Sequence, residues 1–345
     1  MTNINNNTLN INEFSFIDIK NLDQLHRDNW QIVGNLIRET GSFLSEVENN
    51  VFIEYKEFYE KLCNILDNLH ESTKHLSKEE LKKKQLFFRG SLFNFLNKSL
   101  IFSRALTKPY GYPGDFIMLQ ALYDKNPVSD SRIGQYFDQY SMDDTLTRAV
   151  INRAEAMGDR VIKFINESKK PELNILNIAS GSGSELRKIT KCKFDKKVIY
   201  HCFDQEVASL SYIGKNFLYK NPNVEIRLYK EDIKTFFRNW KENSKFDFIY
   251  NIGLADYLPD RIMVSLIKES LGHLSDNGVF VLAHKDYTLF PYHHPSWFYD
   301  WNFIHRDLNS YKDLLKNTIS EEFSIWFESD KNCLFFRISK ITSIT

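Results

Sequence analysis

The sequence has 345 residues, enough for one large domain or two. Its 45 basic residues are matched by 45 acidic ones. The chain therefore lacks the surplus positive charge with which nucleic-acid binders hold phosphates, and a small or mildly charged ligand fits better.

The first dozen residues are polar and Asn-rich with no apolar h-region, and we read 1–12 as a disordered tail. No run approaches the length of a membrane span, so we expect a soluble cytoplasmic protein that meets neither a membrane nor a nucleic acid. The four cysteines, Cys63, Cys192, Cys202 and Cys333, share no C-x-x-C spacing and have no His cluster beside them. This argues against a disulfide framework or a zinc site, and we expect no metal.

Residues 13–165 read as a helical domain. Leu22, Leu25, Trp30, Val33, Leu36, Ile37 and Leu44 recur at roughly helical spacing. Phe52, Tyr55, Phe58, Leu62, Leu66 and Leu69 form one face of a second helix over 51–72. Ser77-Lys78-Glu79-Glu80 has the capping-box pattern and opens a third helix that should run to Leu106, stopped by Pro109. Tyr110-Gly111-Tyr112-Pro113-Gly114-Asp115 is a turn, and Asp115 caps a short helix through Tyr123. A further helix covers 145–167. Amphipathic helices this rich in Phe and Leu must bury a face, against the second domain or a second copy of the chain, and a homodimer is expected.

The pattern then changes. Short apolar runs at 173–179, 198–203, 224–229, 246–252, 278–284, 323–328 and 334–341 read as strands, with helices between the first five. This alternation predicts an α/β fold over 166–345: a doubly wound, seven-stranded, mostly parallel sheet of Rossmann type. Ser329-Asp330-Lys331-Asn332 joins the last two strands as a hairpin, so the last strand should be antiparallel.

Residues 173–186, L-N-I-L-N-I-A-S-G-S-G-S-E-L, run from a strand through a Gly/Ser loop into a helix. Such a loop lies at the carboxyl edge of a doubly wound sheet, where ligands bind, and Ala179, Ser180, Gly181 and Gly183 would bring backbone close to one. Asp204, with Gln205 beside it, ends the second strand about 20 residues on, where a carboxylate accepts from both ribose hydroxyls. Asp232 and Ile233 follow the third strand, placed to meet an adenine. Asn251 and Gly253 follow the fourth. Each feature alone also fits a plain βα turn, and the set competes with a dinucleotide site.

The order of loop, Asp204, Asp232, Gly253 and terminal hairpin resembles the class I S-adenosylmethionine-dependent methyltransferases. Asn177 stands where that family commonly has an acidic residue, and Ala179 and Ser180 replace Gly and a small residue. Four runs carry a narrower resemblance over about 100–340: R-A-L-T-K-P-Y-G-Y-P-G-D (104–115), I-G-Q-Y-F-D (133–138), T-R-A-V-I-N-R (147–153) and G-L-A-D-Y-L-P-D-R (253–261). They are similar to a bacterial group linked to synthesis of 3-hydroxypalmitic acid methyl ester.

The resemblance implies S-adenosylmethionine as cofactor and a carboxylic acid as acceptor. It also implies a lid turn at 108–115, in which Tyr110 and Tyr112 face the sulfonium and Asp115 meets the methionine amino group. Asp256 and His284 are the other candidate catalytic residues. Tyr257, Trp297, Asp300, Trp301 and Arg306 are candidates for the substrate pocket, and His293, His294 and His305 are further candidate bases. Arg306 would clamp a carboxylate or pair with Asp307. A carboxylate acceptor is ionised at neutral pH and needs no base. The same cofactor also permits a cyclase that releases methylthioadenosine and azetidine-2-carboxylate, and the altered first motif permits a non-catalytic nucleoside sensor.

Overall fold

The computed structural model describes residues 30–49, 52–240, 245–285, 288, 293–320, 322–330 and 333–340. The tail 1–12, Leu22, Leu25, and Lys331 and Asn332 of the predicted hairpin turn lie outside the described residues. The chain divides into two compact units: Met1–Thr147 with Pro291–Asn302, and Arg148–Phe290 with Phe303–Thr345.

Unit 1 is helical. α1 (Trp30–Glu48) and α2 (Tyr55–Thr73) bury the stripes that their spacing predicts, Val33, Leu36, Ile37 and Leu44 on the first and Phe58, Leu62, Leu66 and Leu69 on the second. α3 (Lys78–Leu96) starts in the expected capping box: Glu80 N donates to Ser77 Oγ at 3.3 Å, and Ser77 N donates to Glu80 Oε2 at 3.2 Å. The helix expected to continue to Leu106 ends ten residues earlier. Ser99 caps a new helix, α4 (Leu100–Thr107), accepting from Phe102 N at 3.1 Å. A serine hydroxyl that can cap competes with continued helix, and here the cap prevails.

α5 (Phe116–Asp124) begins at Asp115, as expected. α6 (Arg132–Asp143) was not anticipated. Its Asp138 is fully buried, accepting from the Ser99 hydroxyl at 2.6 Å and from Val128 N and Ser129 N at 3.0 and 2.9 Å. One carboxylate thus fixes both the cap of α4 and the loop before α6. A short helix, α12 (His293–Phe298), returns to this unit from late in the chain and packs on α2 and α3.

α7 (Thr145–Glu167) leads into unit 2. There the strands are β1 (Glu172–Ile178), β2 (Lys197–Asp204), β3 (Val224–Lys230), β4 (Phe246–Asn251), β5 (Leu274–Lys285), β6 (Phe323–Asp330) and β7 (Cys333–Lys340). They form one seven-stranded sheet in the order β3-β2-β1-β4-β5-β7-β6. The first five strands pair in parallel, and β7 is antiparallel to both β5 and β6. Alternate side chains of β1 go to opposite faces. Leu173 and Ile175 pack with Met157 and Val161 of α7 and Ile213 of α9 (Val207–Phe217). Leu176 and Ile178 pack on the other face with Phe236 of α10 (Ile233–Asn239), Met263 and Leu266 of α11 (Asp260–Gly272) and Tyr311 of α13 (Leu308–Lys316). A sheet covered on both faces needs strands apolar on both sides, which is why β2 and β4 read as near-continuous apolar runs. Strand order reverses between β1 and β4, and the crevice at their carboxyl ends is the place where ligands enter such sheets.

Candidate functional site

The crevice begins with the loop after β1. Ala179, Gly181 and Gly183 all have left-handed backbone, with φ of 54°, 52° and 60°. A Cβ on Gly183 would lie 3.0 Å from Leu186 Cδ1, so packing and φ both hold that position to glycine. A Cβ on Gly181 would meet nothing within 4 Å, so this glycine faces open space. The loop is tied to β2: Ser180 N donates to Phe203 O at 3.0 Å, and Gly181 N donates to Asp204 Oδ2 at 2.8 Å. Asp204 Oδ1 accepts from Glu206 N at 2.9 Å. Burial raises the Asp204 pKa, against the lowering effect of those backbone N–H groups. The Ser209 side chain and the Gln205 backbone also hydrogen-bond to this carboxylate.

Two buried polar groups lie by this loop. The side-chain amide of Asn177, on β1, has no hydrogen-bond partner among the described residues. Nor do the two oxygens of Glu185, just before the one-turn helix α8 (Leu186–Ile189), find a partner of ordinary geometry there. Burial pushes the Glu185 carboxyl up to about 7. Asn251, at the end of β4, donates to Ile178 O at 2.8 Å and accepts from Ala255 N at 3.1 Å, joining the ends of β1 and β4.

A buried charged cluster follows β4. Asp256 sits on a 3-10 turn (Leu254–Tyr257) and is fully buried. Arg153 Nη1 of α7 lies 2.6 Å from its Oδ2, Lys285 Nζ from the end of β5 pairs with the same oxygen, and His284 Nδ1 is 2.8 Å from Oδ1. Burial alone would raise the Asp256 pKa, but Lys285 and Arg153 hold the carboxyl well below the usual range. Burial pulls the Lys285 ammonium down to about 7, against the attraction of Asp256. Burial also lowers His284, against the raising effect of Asp256, and so disfavours its imidazolium form. Arg153 and, when protonated, Lys285 therefore face the Asp256 carboxylate. Lys285 also lies 3.6 Å over the Phe303 ring, and a Cβ on Gly253 would sit at ordinary contact distance, 3.7 Å, from Arg153 Nη2.

The other predicted residues of unit 2 surround this cluster or the sheet edge. Tyr257 is half-buried with its ring 5.5 Å from that of Phe303. Arg306 does not pair with Asp307. It donates to Asp260 Oδ1 through Nε at 2.9 Å and to Leu258 O through Nη2 at 2.6 Å, while Asp307 caps α13. Asp232 caps α10, accepting from Lys234 N and Thr235 N at 2.9 and 3.0 Å. It is exposed, with half-buried Ile233 next to it. Gln205 directly follows Asp204 and is exposed.

The remaining predicted residues, His305 apart, belong to unit 1. Asp115 is buried, caps α5 and accepts from Arg104 Nε at 2.9 Å with both oxygens. Tyr110 and Tyr112 are half-buried on the same turn. Trp301 packs against Gly114 of that turn, and Asp300 pairs with Arg89 at 3.0 Å and with Lys108. Trp297 is a core side chain, edge-on to Phe88 at 5.5 Å. The turn at 108–115 and residues 297–301 after β5, separate in the sequence, are thus one packed cluster. His305 lies in unit 2 and is exposed.

Sequence reasoning missed Arg153, Lys285 and Glu185 as site residues. A signal existed for Lys285, a lysine shortly after the apolar run 279–283 of β5. Arg153 closes the T-R-A-V-I-N-R run but has no local feature that marks it.

No family model matches the chain, and no curated protein matches it in sequence. Solved structures do. A "possible exported protein" from Bordetella parapertussis is 14% identical with a TM-score of 0.51, the alignment covering 92% of this chain and 99% of that one. The CurJ carbon methyltransferase is 10% identical with a TM-score of 0.50, over 96% of each chain. At these identities the likeness speaks for the fold alone, and the fold is the Rossmann-like one of methyltransferases, with a helical region before it.

Proposed function

We propose that unit 2 binds S-adenosylmethionine and that the protein methylates a small-molecule carboxylic acid. The observation that carries this is the convergence of Gly181, Asp204 and Asn251 at the carboxyl ends of β1, β2 and β4. The residues fit the ligand. Asp204 stands at the end of β2, where a carboxylate can reach ribose hydroxyls, Gly181 leaves its side-chain position open, and the buried carboxyl of Glu185 suits an ammonium group. Asp232 and Ile233 stand by for the adenine. The fold likeness to a carbon methyltransferase agrees with this reading.

Bound S-adenosylmethionine supplies a methyl group on a sulfonium, open to in-line attack. The chain's part is to position the acceptor and exclude water. Arg153, joined by Lys285 in its protonated form, places buried positive charge beside Asp256 and favours an anionic acceptor. A carboxylate already carries its lone pair at pH 7, so no residue need remove a proton.

One observation favours a second reading. Lys285 lies buried at the end of β5, and burial pulls its ammonium down to about 7, which brings the neutral amine required of a base within reach. In that reading Lys285 takes the proton from the ligand's own amine as that nitrogen displaces the thioether at its γ-carbon. The C–N bond forms, the C–S bond breaks, and the products are methylthioadenosine and azetidine-2-carboxylate.

Incubation with S-adenosylmethionine alone, followed by mass spectrometry, separates the two. Methylthioadenosine with azetidine-2-carboxylate selects the second. Bound but unchanged ligand that yields S-adenosylhomocysteine and a methyl ester when carboxylic acids are added selects the first. Binding with no turnover under either condition would leave a nucleoside sensor, and absence of binding would overturn the whole reading.

A further inference from the structure

Unit 1 brings together three metal-ligating side chains that the proposed chemistry does not use. Asp67 lies on α2, and His293 and His294 open α12. Nε2 of His293 is 2.7 Å from Asp67 Oδ1, and Nε2 of His294 is 3.1 Å from the same oxygen. The three ligating atoms all lie within 4.8 Å of one another. A tetrahedral zinc ion with bonds of about 2.0–2.1 Å spaces its ligand atoms roughly 3.3 Å apart. An opening of a few tenths of an ångström would therefore admit the ion.

Both imidazoles are held in place by the protein. Nδ1 of His294 lies 3.3 Å from the hydroxyl of Tyr140, a fully buried residue of α6. The His293 ring stacks on His70 at 4.2 Å with an interplanar angle of 12°. A metal-bound histidine commonly has its second nitrogen anchored in the way Tyr140 provides, which fixes the ring and its tautomer. The Asp67 side chain is 57% exposed, so solvent can complete the coordination.

We propose that Asp67, His293 and His294 form a site for a divalent transition metal of the zinc class, with water as the fourth ligand. Two imidazoles and a carboxylate suit Zn²⁺, Co²⁺ or Ni²⁺ and disfavour Mg²⁺ and Ca²⁺, which prefer all-oxygen sets. The ion would clip α2 to α12 and thereby stabilise unit 1.

The test uses the full chain, stripped with a chelator and titrated with Co²⁺. The expected result is the visible absorption of tetrahedral Co²⁺, displaced by Zn²⁺, with a rise in Tm on Zn²⁺ addition. Asp67→Asn changes an exposed side chain and should fold. It should weaken Zn²⁺ binding at least tenfold, and Tyr140→Phe should weaken it about tenfold by freeing the His294 ring. The proposal is overturned if the stripped wild type gives neither the absorption nor the Tm shift. It is equally overturned if His293→Ala/His294→Ala binds Co²⁺ as the wild type does. Absorption and Tm read the metal independently of S-adenosylmethionine, so failure here leaves the proposed function standing, and the reverse also holds.

Discussion

Gly114 and Trp301 are in such close contact that a Cβ on residue 114 would lie 2.6 Å from the indole Cζ2, and Gly114 has φ 75°. Both facts demand glycine. Gly114→Ala should therefore destabilise the protein by about 1–3 kcal/mol, from left-handed strain plus overpacking. Urea denaturation measures it. A variant as stable as wild type would mean that the turn and the indole are not packed as described.

Asp204 is expected to carry the ribose contacts. Replacement by Ala should raise the Kd for S-adenosylmethionine by about ten- to a hundredfold, the scale of one lost charged hydrogen bond. Isothermal calorimetry reads this directly, and an unchanged Kd would remove Asp204 from the ligand site.

Glu185 makes stability depend on pH in the free protein. Its pKa rises from 4.5 unfolded to about 7 folded. A raised carboxyl contributes stability that is fully present below pH 4.5 and is lost as pH rises through 7. Between pH 5 and 8 the wild type should therefore lose about 2 kcal/mol relative to Glu185→Gln. Parallel denaturation curves at the two pH values, with a constant gap between the proteins, would contradict the buried, ionisable state of this side chain.

Lys285 gives the two proposed reactions opposite pH limbs. If its charge holds an acceptor carboxylate, methyl transfer should fall as pH rises through about 7. If its neutral amine is a base, methylthioadenosine release should rise over the same range. Lys285→Met should abolish the limb in either case, and a flat profile in the wild type would exclude both roles.

Much of unit 2 was legible because its signals are local. All seven strands occur within a few residues of their predicted bounds, since each apolar run is itself a strand. Gly181 and Asp204 could be found because each stands at a strand end, and the structure joins them by a hydrogen bond. Unit 1 was less legible. α3 and α4 share a continuous helical pattern, and only the capping by Ser99 divides them. α6 is polar enough to resemble a loop until Asp138 is seen to anchor it. Arg153, Asp256 and Lys285 converge from three distant segments, and Asp67 meets His293 across 226 positions. No periodicity encodes such meetings.

The path of the chain between its two units has a consequence for inheritance. Unit 1 reclaims Pro291–Asn302 from the middle of unit 2, so no single cut separates them. A fragment beginning at Arg148 would carry Trp297, Phe298, Tyr299 and Trp301 stripped of the side chains of unit 1 that bury them. Such a fragment would present a cluster of bare aromatic rings to water. Gene fusion or exchange that moves the sheet without the helices is thereby penalised, and recombination should pass the two units on together.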